Sequence, residues 1–171
     1  RDFNFRNKSF LPTVVMFTQE KSILNNPATK AGIKIITVPD DRWKRRDIKT
    51  TQLLAQSIAK SSAVQKGFDD SLLVQDGFIN EGSSSNAFII KDDHIYTPSL
   101  SNFILGGITR STVIEFCKTK NIQIKEQKIH VDDVMDAQEV FLTSATGFVI
   151  PVIEIDERPV GNGLVGDKVK E

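Results

Sequence analysis

The chain is poor in cysteine, histidine and the larger aromatics: one Cys, two His, one Trp and one Tyr among 171 residues. A lone cysteine excludes an intrachain disulfide framework, and a reducing cytoplasm is the expected setting. Cys117 sits in Val113-Ile114-Glu115-Phe116-Cys117, where it reads as a small core hydrophobe rather than a catalytic thiol. Neither sign of charge is in excess, since 22 Lys plus Arg balance 22 Asp plus Glu. No global field therefore favours nucleic acid or a membrane surface. No apolar run approaches the roughly 20 residues that span a bilayer. What is there is ordinary: 39% hydrophobic and 26% charged residues describe a globular domain, long enough for one core or for one core plus a remnant of another.

Both ends read as interior stretches. The chain opens on Arg1-Asp2-Phe3-Asn4-Phe5-Arg6, and Gly166-Asp167-Lys168-Val169-Lys170-Glu171 reads as the start of a helix. A fragment is the expectation, with a domain junction between about residues 19 and 31, around Asn25-Asn26-Pro27 and Gly32. β-branched and aromatic runs predict strands over 12–18, 33–38, 71–74, 78–80, 86–91, 94–97, 122–125, 140–143 and 148–155. Asp92-Asp93 marks a tight turn. Apolar residues at helical spacing (Leu53, Leu54, Ile58, Ala59, Ala63) predict a helix ending near Gly67. A second helix follows Gly106-Gly107, and residues 131–138 read as a short acidic one. Many strands with irregularly placed helices favour α+β over a doubly wound sheet.

Four segments carry residues with chemical potential. In Arg42-Trp43-Lys44-Arg45-Arg46-Asp47-Ile48-Lys49, a lysine between Ile48 and Thr50 after several arginines could be desolvated, lose its proton and form a Schiff base. Taken alone it reads more readily as a solvated surface charge. Glu81-Gly82-Ser83-Ser84-Ser85-Asn86 is a polar loop entering a strand, rich in hydrogen-bonding groups around one carboxylate; by itself it is an ordinary turn. Gly106-Gly107-Ile108-Thr109-Arg110 places two glycines and a hydroxyl at a helix start, where free N–H groups receive a phosphate, or simply begin a helix. Thr143-Ser144-Ala145-Thr146-Gly147 is a hydroxyl-rich turn able to offer backbone N–H groups to an anion, or no more than a turn.

In order and spacing, these segments resemble the C-terminal domain of fold-type IV pyridoxal-phosphate aminotransferases, over about residues 12–167. The most specific pieces are Arg42-Trp43 with Asp47-Ile48-Lys49, the run from Glu81 to Asn86, and Ile104-Leu105 with Gly107-Ile108-Thr109-Arg110. The resemblance implies an α+β, pseudo-barrel domain over residues 25–171, with residues 1–24 left from an N-terminal domain and linker. It implies pyridoxal 5'-phosphate as cofactor and Lys49 as the catalytic lysine that holds it and moves a proton at the substrate Cα. Glu81 then pairs with the pyridine nitrogen. Leu105 packs on the ring, Ser84 and Ser85 with Ser83 support it, and Gly107, Ile108, Thr109, Ser144 and Ala145 form the phosphate cup. Arg1 aligns with an arginine that binds substrate carboxylate in the D-amino-acid enzymes, although Phe3 replaces their histidine.

The form of the lysine motif is that of D-amino-acid aminotransferases. Leu53 stands where branched-chain enzymes place a tyrosine soon after the lysine, and Ala145 where they commonly have a threonine. The implied activity is transamination between an amino acid, D-amino acids favoured, and a 2-oxo acid such as 2-oxoglutarate, by a homodimer. A branched-chain L-amino-acid aminotransferase and an aminodeoxychorismate lyase are the neighbouring readings, the three-serine run speaking against the lyase. A non-catalytic anion-binding domain is the reading from another class. No metal, nucleic-acid or membrane partner is implied.

Overall fold

Short apolar runs separated by residues that tolerate positive φ build the molecule. The computed structural model describes residues 11, 13–20 and 25–170. The strands are β1 (Ile33–Pro39), β2 (Asp70–Gln75), β3 (Phe78–Gly82), β4 (Asn86–Lys91), β5 (His94–Thr97), β6 (Ile124–Glu126), β7 (Ile129–His130), β8 (Glu139–Ser144), β9 (Phe148–Ile155) and β10 (Arg158–Pro159). The helices are α1 (Pro27–Ala31), α2 (Leu54–Gln65), α3 (Ile108–Thr119), α4 (Val131–Met135) and α5 (Asp167–Lys170). Asp76-Gly77 and Asp92-Asp93 close two-residue hairpins with positive φ at both positions, the geometry that matches strand twist.

One sheet runs β6-β5-β4-β8-β9-β1-β2-β3-β7, with β10 on β9. β1 pairs in parallel with both β2 and β9, and β5 with β6; the other pairs are antiparallel. This is the expected α+β arrangement. Ile35, Leu72, Ile79, Ala87, Ile89, Ile129, Val140 and Leu142 share one buried cluster. Strands from both ends of the path meet in it, so the sheet curls around a common core. On the other face α3 covers Phe88, Ile90 and Phe141 through Ile114. Phe88 is fully buried and stacks on Phe141 at 4.7 Å between centroids. Phe88→Ala is expected to cost about 3–5 kcal/mol, measurable as a shift in the urea midpoint at unchanged slope.

One expectation is corrected. Residues 13–18 form no strand: Val14, Val15, Met16 and Phe17 are 71–88% exposed. A β-branched run needs a neighbouring edge to pair with, and no described strand lies beside it; Pro12 is outside the described residues. The helix predicted to end near Gly67 is present as α2, with Ala63 buried and Leu54 and Ile58 more than half exposed.

Candidate active site

The site lies where strand ends converge. The register pairs Asn86 at the start of β4 with Thr143 near the end of β8. That brings the Ser83–Ser85 turn beside the Ser144–Ala145 turn. The N-terminus of α3 and the irregular segment from Asp40 to Leu53 complete the walls of a cavity of about 510 Å³. Lys49, Glu81, Ser84, Ser85, Leu105, Gly107, Ile108, Thr109, Ser144 and Ala145 all line it. Four segments, each also readable as a turn or a surface charge, are thus gathered by one sheet. Arg1 lies outside the described residues.

Glu81 is 4% exposed at the end of β3. Its Oε1 accepts from Arg42 Nη1 at 2.5 Å, and its Oε2 from Asn86 Nδ2 at 3.0 Å and the Leu105 N–H at 3.2 Å. Burial pushes its carboxyl up from the ordinary glutamate value, while the charge and hydrogen bond of Arg42 and the Leu105 N–H pull it back. Arg42 is in turn seated on Asp40 through Nε and Nη2, both at 2.8 Å. Burial works to raise Asp40, but Arg42, Asn80 and Arg46 outweigh it and hold this carboxyl below its usual range.

The wall opposite Glu81 is built for an anion. α3 begins at Gly107 with no side-chain cap and no acidic residue in its first turn, so its first N–H groups and positive dipole end are left for a ligand. A Cβ on Gly107 would collide with Asn86 Oδ1, and one on Gly82 with Ser85 Oγ. Ser85 Oγ and Thr143 Oγ1, both in the cavity wall, are buried without a hydrogen-bond partner, as groups awaiting a ligand are. Ser144 Oγ accepts from the Gly147 N–H at 3.0 Å and closes the turn beside them.

Of the two readings of Lys49, the structure shows the solvated one. Lys49 lines the cavity but is exposed, and the arginines before it are not aimed at it. Arg42 binds Asp40 and Glu81, Arg45 binds Asp47, and Arg46 binds Asp40, Gln75 and the Phe103 ring. The charge cluster is neutralised by carboxylates. Sequence reasoning also gave no role to Asp40, Arg42 or Asn86. Arg42 and Asn86 stood in the quoted motifs, but the Arg42–Glu81 pairing joins positions 39 residues apart, which local sequence does not report.

A curled sheet thus brings a lysine on an irregular segment, a buried glutamate and an uncapped helix start suited to an anion to one cavity. Residues 2–155 match the family described as Amino-transferase class IV, and the chain belongs to that family. It is 38% identical over 139 residues to the D-alanine aminotransferase of Bacillus licheniformis, covering 81% of this chain and 49% of that protein. It is 37% identical over 168 residues to the D-alanine aminotransferase of Staphylococcus aureus (strain COL), covering 97% and 58%. The chain therefore spans about half the length of these relatives. Among solved structures, the Escherichia coli branched-chain amino acid aminotransferase superposes with a TM-score of 0.74 at 28% identity, over 84% of this chain and 50% of that one. A second branched-chain amino acid aminotransferase, from T.th. and solved with pyridoxamine 5'-phosphate, superposes with a TM-score of 0.79 at 30% identity, over 89% and 52%. No described helix is long and apolar enough to cross a membrane.

Proposed function

We propose that this protein transfers an amino group between an amino acid, D-amino acids favoured, and a 2-oxo acid, using pyridoxal 5'-phosphate. The observation that carries the reading is the convergence of Lys49, Glu81, the α3 N-terminus and the Ser144–Ala145 turn on one cavity. The donor set fits the cofactor. An uncapped helix start with glycine at its head suits a phosphate, a buried carboxylate suits a protonated ring nitrogen, and an exposed lysine amine suits an aldehyde. When bound, pyridoxal phosphate supplies that aldehyde and a ring that accepts electrons as the substrate Cα loses its proton.

The chain's own residues have separable tasks in this reading. Gly107, Ile108 and Thr109 bind the phosphate through backbone N–H groups and the Thr109 hydroxyl, with Ser144 and Ala145 as the second wall. Glu81 presents its carboxylate to the ring nitrogen, and Leu105 packs on the ring face with Ser84 and Ser85 behind it. Lys49 moves the proton at Cα; none of the ion pairs among the described residues engages its amine. D-preference is supported by the lysine motif and by the names of the relatives at 37–38% identity. Residues 25–171 as the cofactor-binding domain, with residues 1–24 belonging to a preceding one, form part of the same proposal. Arg1 as a ligand for substrate carboxylate rests on the motif alone.

A homodimer belongs to this reading. Trp43, Ile48, Leu53 and Ile108 line the cavity while 41–71% exposed, an apolar rim that a second copy would cover. A cytoplasmic setting is supported by the single buried cysteine. The test is reductive trapping: pyridoxal phosphate and borohydride are added to the protein and the labelled peptide is mapped by mass spectrometry. Label on Lys49, followed by pyruvate formation from D-alanine with 2-oxoglutarate, is the expected result. Label scattered over surface lysines would withdraw the enzyme reading.

A further inference from the structure

Glu81 is not a lone carboxylate in an apolar wall. It is the last member of a chain of charges reaching back to the end of β1, and each link has a fixed geometry. Asp40 uses both oxygens to grip Arg42, Oδ1 on Nε and Oδ2 on Nη2. Only the third guanidinium nitrogen, Nη1, is left to point at Glu81. Asp40 is itself immobilised by Asn80 Nδ2 at 2.8 Å and lies 3.5 Å from Arg46 Nη2. The side chains of Arg42, Asp40 and Glu81 are 6%, 0% and 5% exposed, so water contributes little to holding any of them.

We propose that Arg42, gripped by Asp40, is a positioning residue for Glu81, fixing the direction of its carboxylate and supplying its countercharge from behind. The inference rests on the cofactor reading for its purpose, since a carboxylate aimed into the cavity is what a ring nitrogen needs. Its physical content stands without that reading. A planar fork bound on one edge by a carboxylate cannot rotate, so the remaining N–H holds the second carboxylate in one place. Burying Glu81 penalises its charged form, and Arg42 is the opposite charge in contact with it. The charged groups facing Glu81 are Arg42, with Asp40 and Arg46 beyond it, all from the segment after β1; Lys49 lines the same cavity. β4 contributes the neutral Asn86 and the loop before α3 a backbone N–H.

The test follows the Glu81 carboxyl carbon by NMR through a pH titration of the full chain without cofactor, with Glu81→Gln to assign the signal. Arg42→Leu is expected to move the titration upward by roughly 1–3 pH units. Arg42→Lys, which keeps a charge and loses the fork, should move it less. Arg45→Leu, which removes an exposed arginine paired with Asp47 among the described residues, should leave it in place. An unmoved titration in Arg42→Leu overturns the assignment; if that variant does not fold, an unmoved titration in Arg42→Lys does so. For Asp40, the readout is the Arg42 Nε–H: slow to exchange in the wild type, and at least about tenfold faster in Asp40→Asn. Equal exchange would remove Asp40 from the device. Both measurements are made without pyridoxal phosphate, so a protein that never takes up the cofactor would sink the functional reading and leave the clamp standing.

Discussion

Lys49→Ala is expected to eliminate reductive trapping of pyridoxal phosphate and to slow amino transfer from D-alanine by at least about 10³-fold. The argument is one of chemical scarcity within the cavity. Among its lining residues Lys49 is the one amine; the other basic groups are Arg42 and Arg46, committed to carboxylates and too basic to give up a proton. Lys49→Ala removes a side chain that is exposed and in none of the described ion pairs, so stability should change by no more than about 0.5 kcal/mol. Thermal unfolding therefore separates lost chemistry from lost fold. Lys44→Ala is the control, since Lys44 lies in the same basic run and does not line the cavity. Equal labelling of Lys49→Ala and wild type would remove Lys49 from its role.

Gly107→Ala is expected to weaken binding of pyridoxal phosphate by about 10–100-fold. The added Cβ would meet Asn86 Oδ1 at a distance no real contact tolerates. Asn86 cannot swing aside freely, because its Nδ2 holds Glu81 Oε2 at 3.0 Å and the Leu105 carbonyl at 2.8 Å. Either the α3 N-terminus shifts away from its ligand or the Asn86 bridge to Glu81 breaks. Losing a hydrogen bond to a charged group costs roughly 1.5–3 kcal/mol, and each 1.4 kcal/mol is about tenfold in affinity. Gly106→Ala is the matched control: its Cβ would meet only Leu100, at 3.8 Å. Titration of cofactor absorbance gives both constants, and equal values for the two variants would refute the close-packed helix start.

The sequence carried the strands, because period-two apolar runs and paired turn residues such as Asp92-Asp93 report their own local conformation. It also picked out residues that the fold gathers into one cavity wall, since Lys49, Glu81, Gly107, Ser144 and Ala145 all line it. It misjudged residues 13–18, where propensity was sufficient but no described partner edge existed. For Lys49 the order of residues left both a desolvated amine and a surface charge open, and the structure shows it exposed beside arginines neutralised by Asp40, Asp47 and Glu81.

Charge partnership is decided in three dimensions. Arg42 and Glu81 are 39 residues apart in the chain, and only the curl of the sheet and the placement of β3 beside β2 put one guanidinium between two buried carboxylates. By itself the sequence determined which groups this protein has for its chemistry. The tertiary structure decided which of them are buried, which are paired and which face the cavity, because burial and pairing depend on distances that the order of residues does not contain.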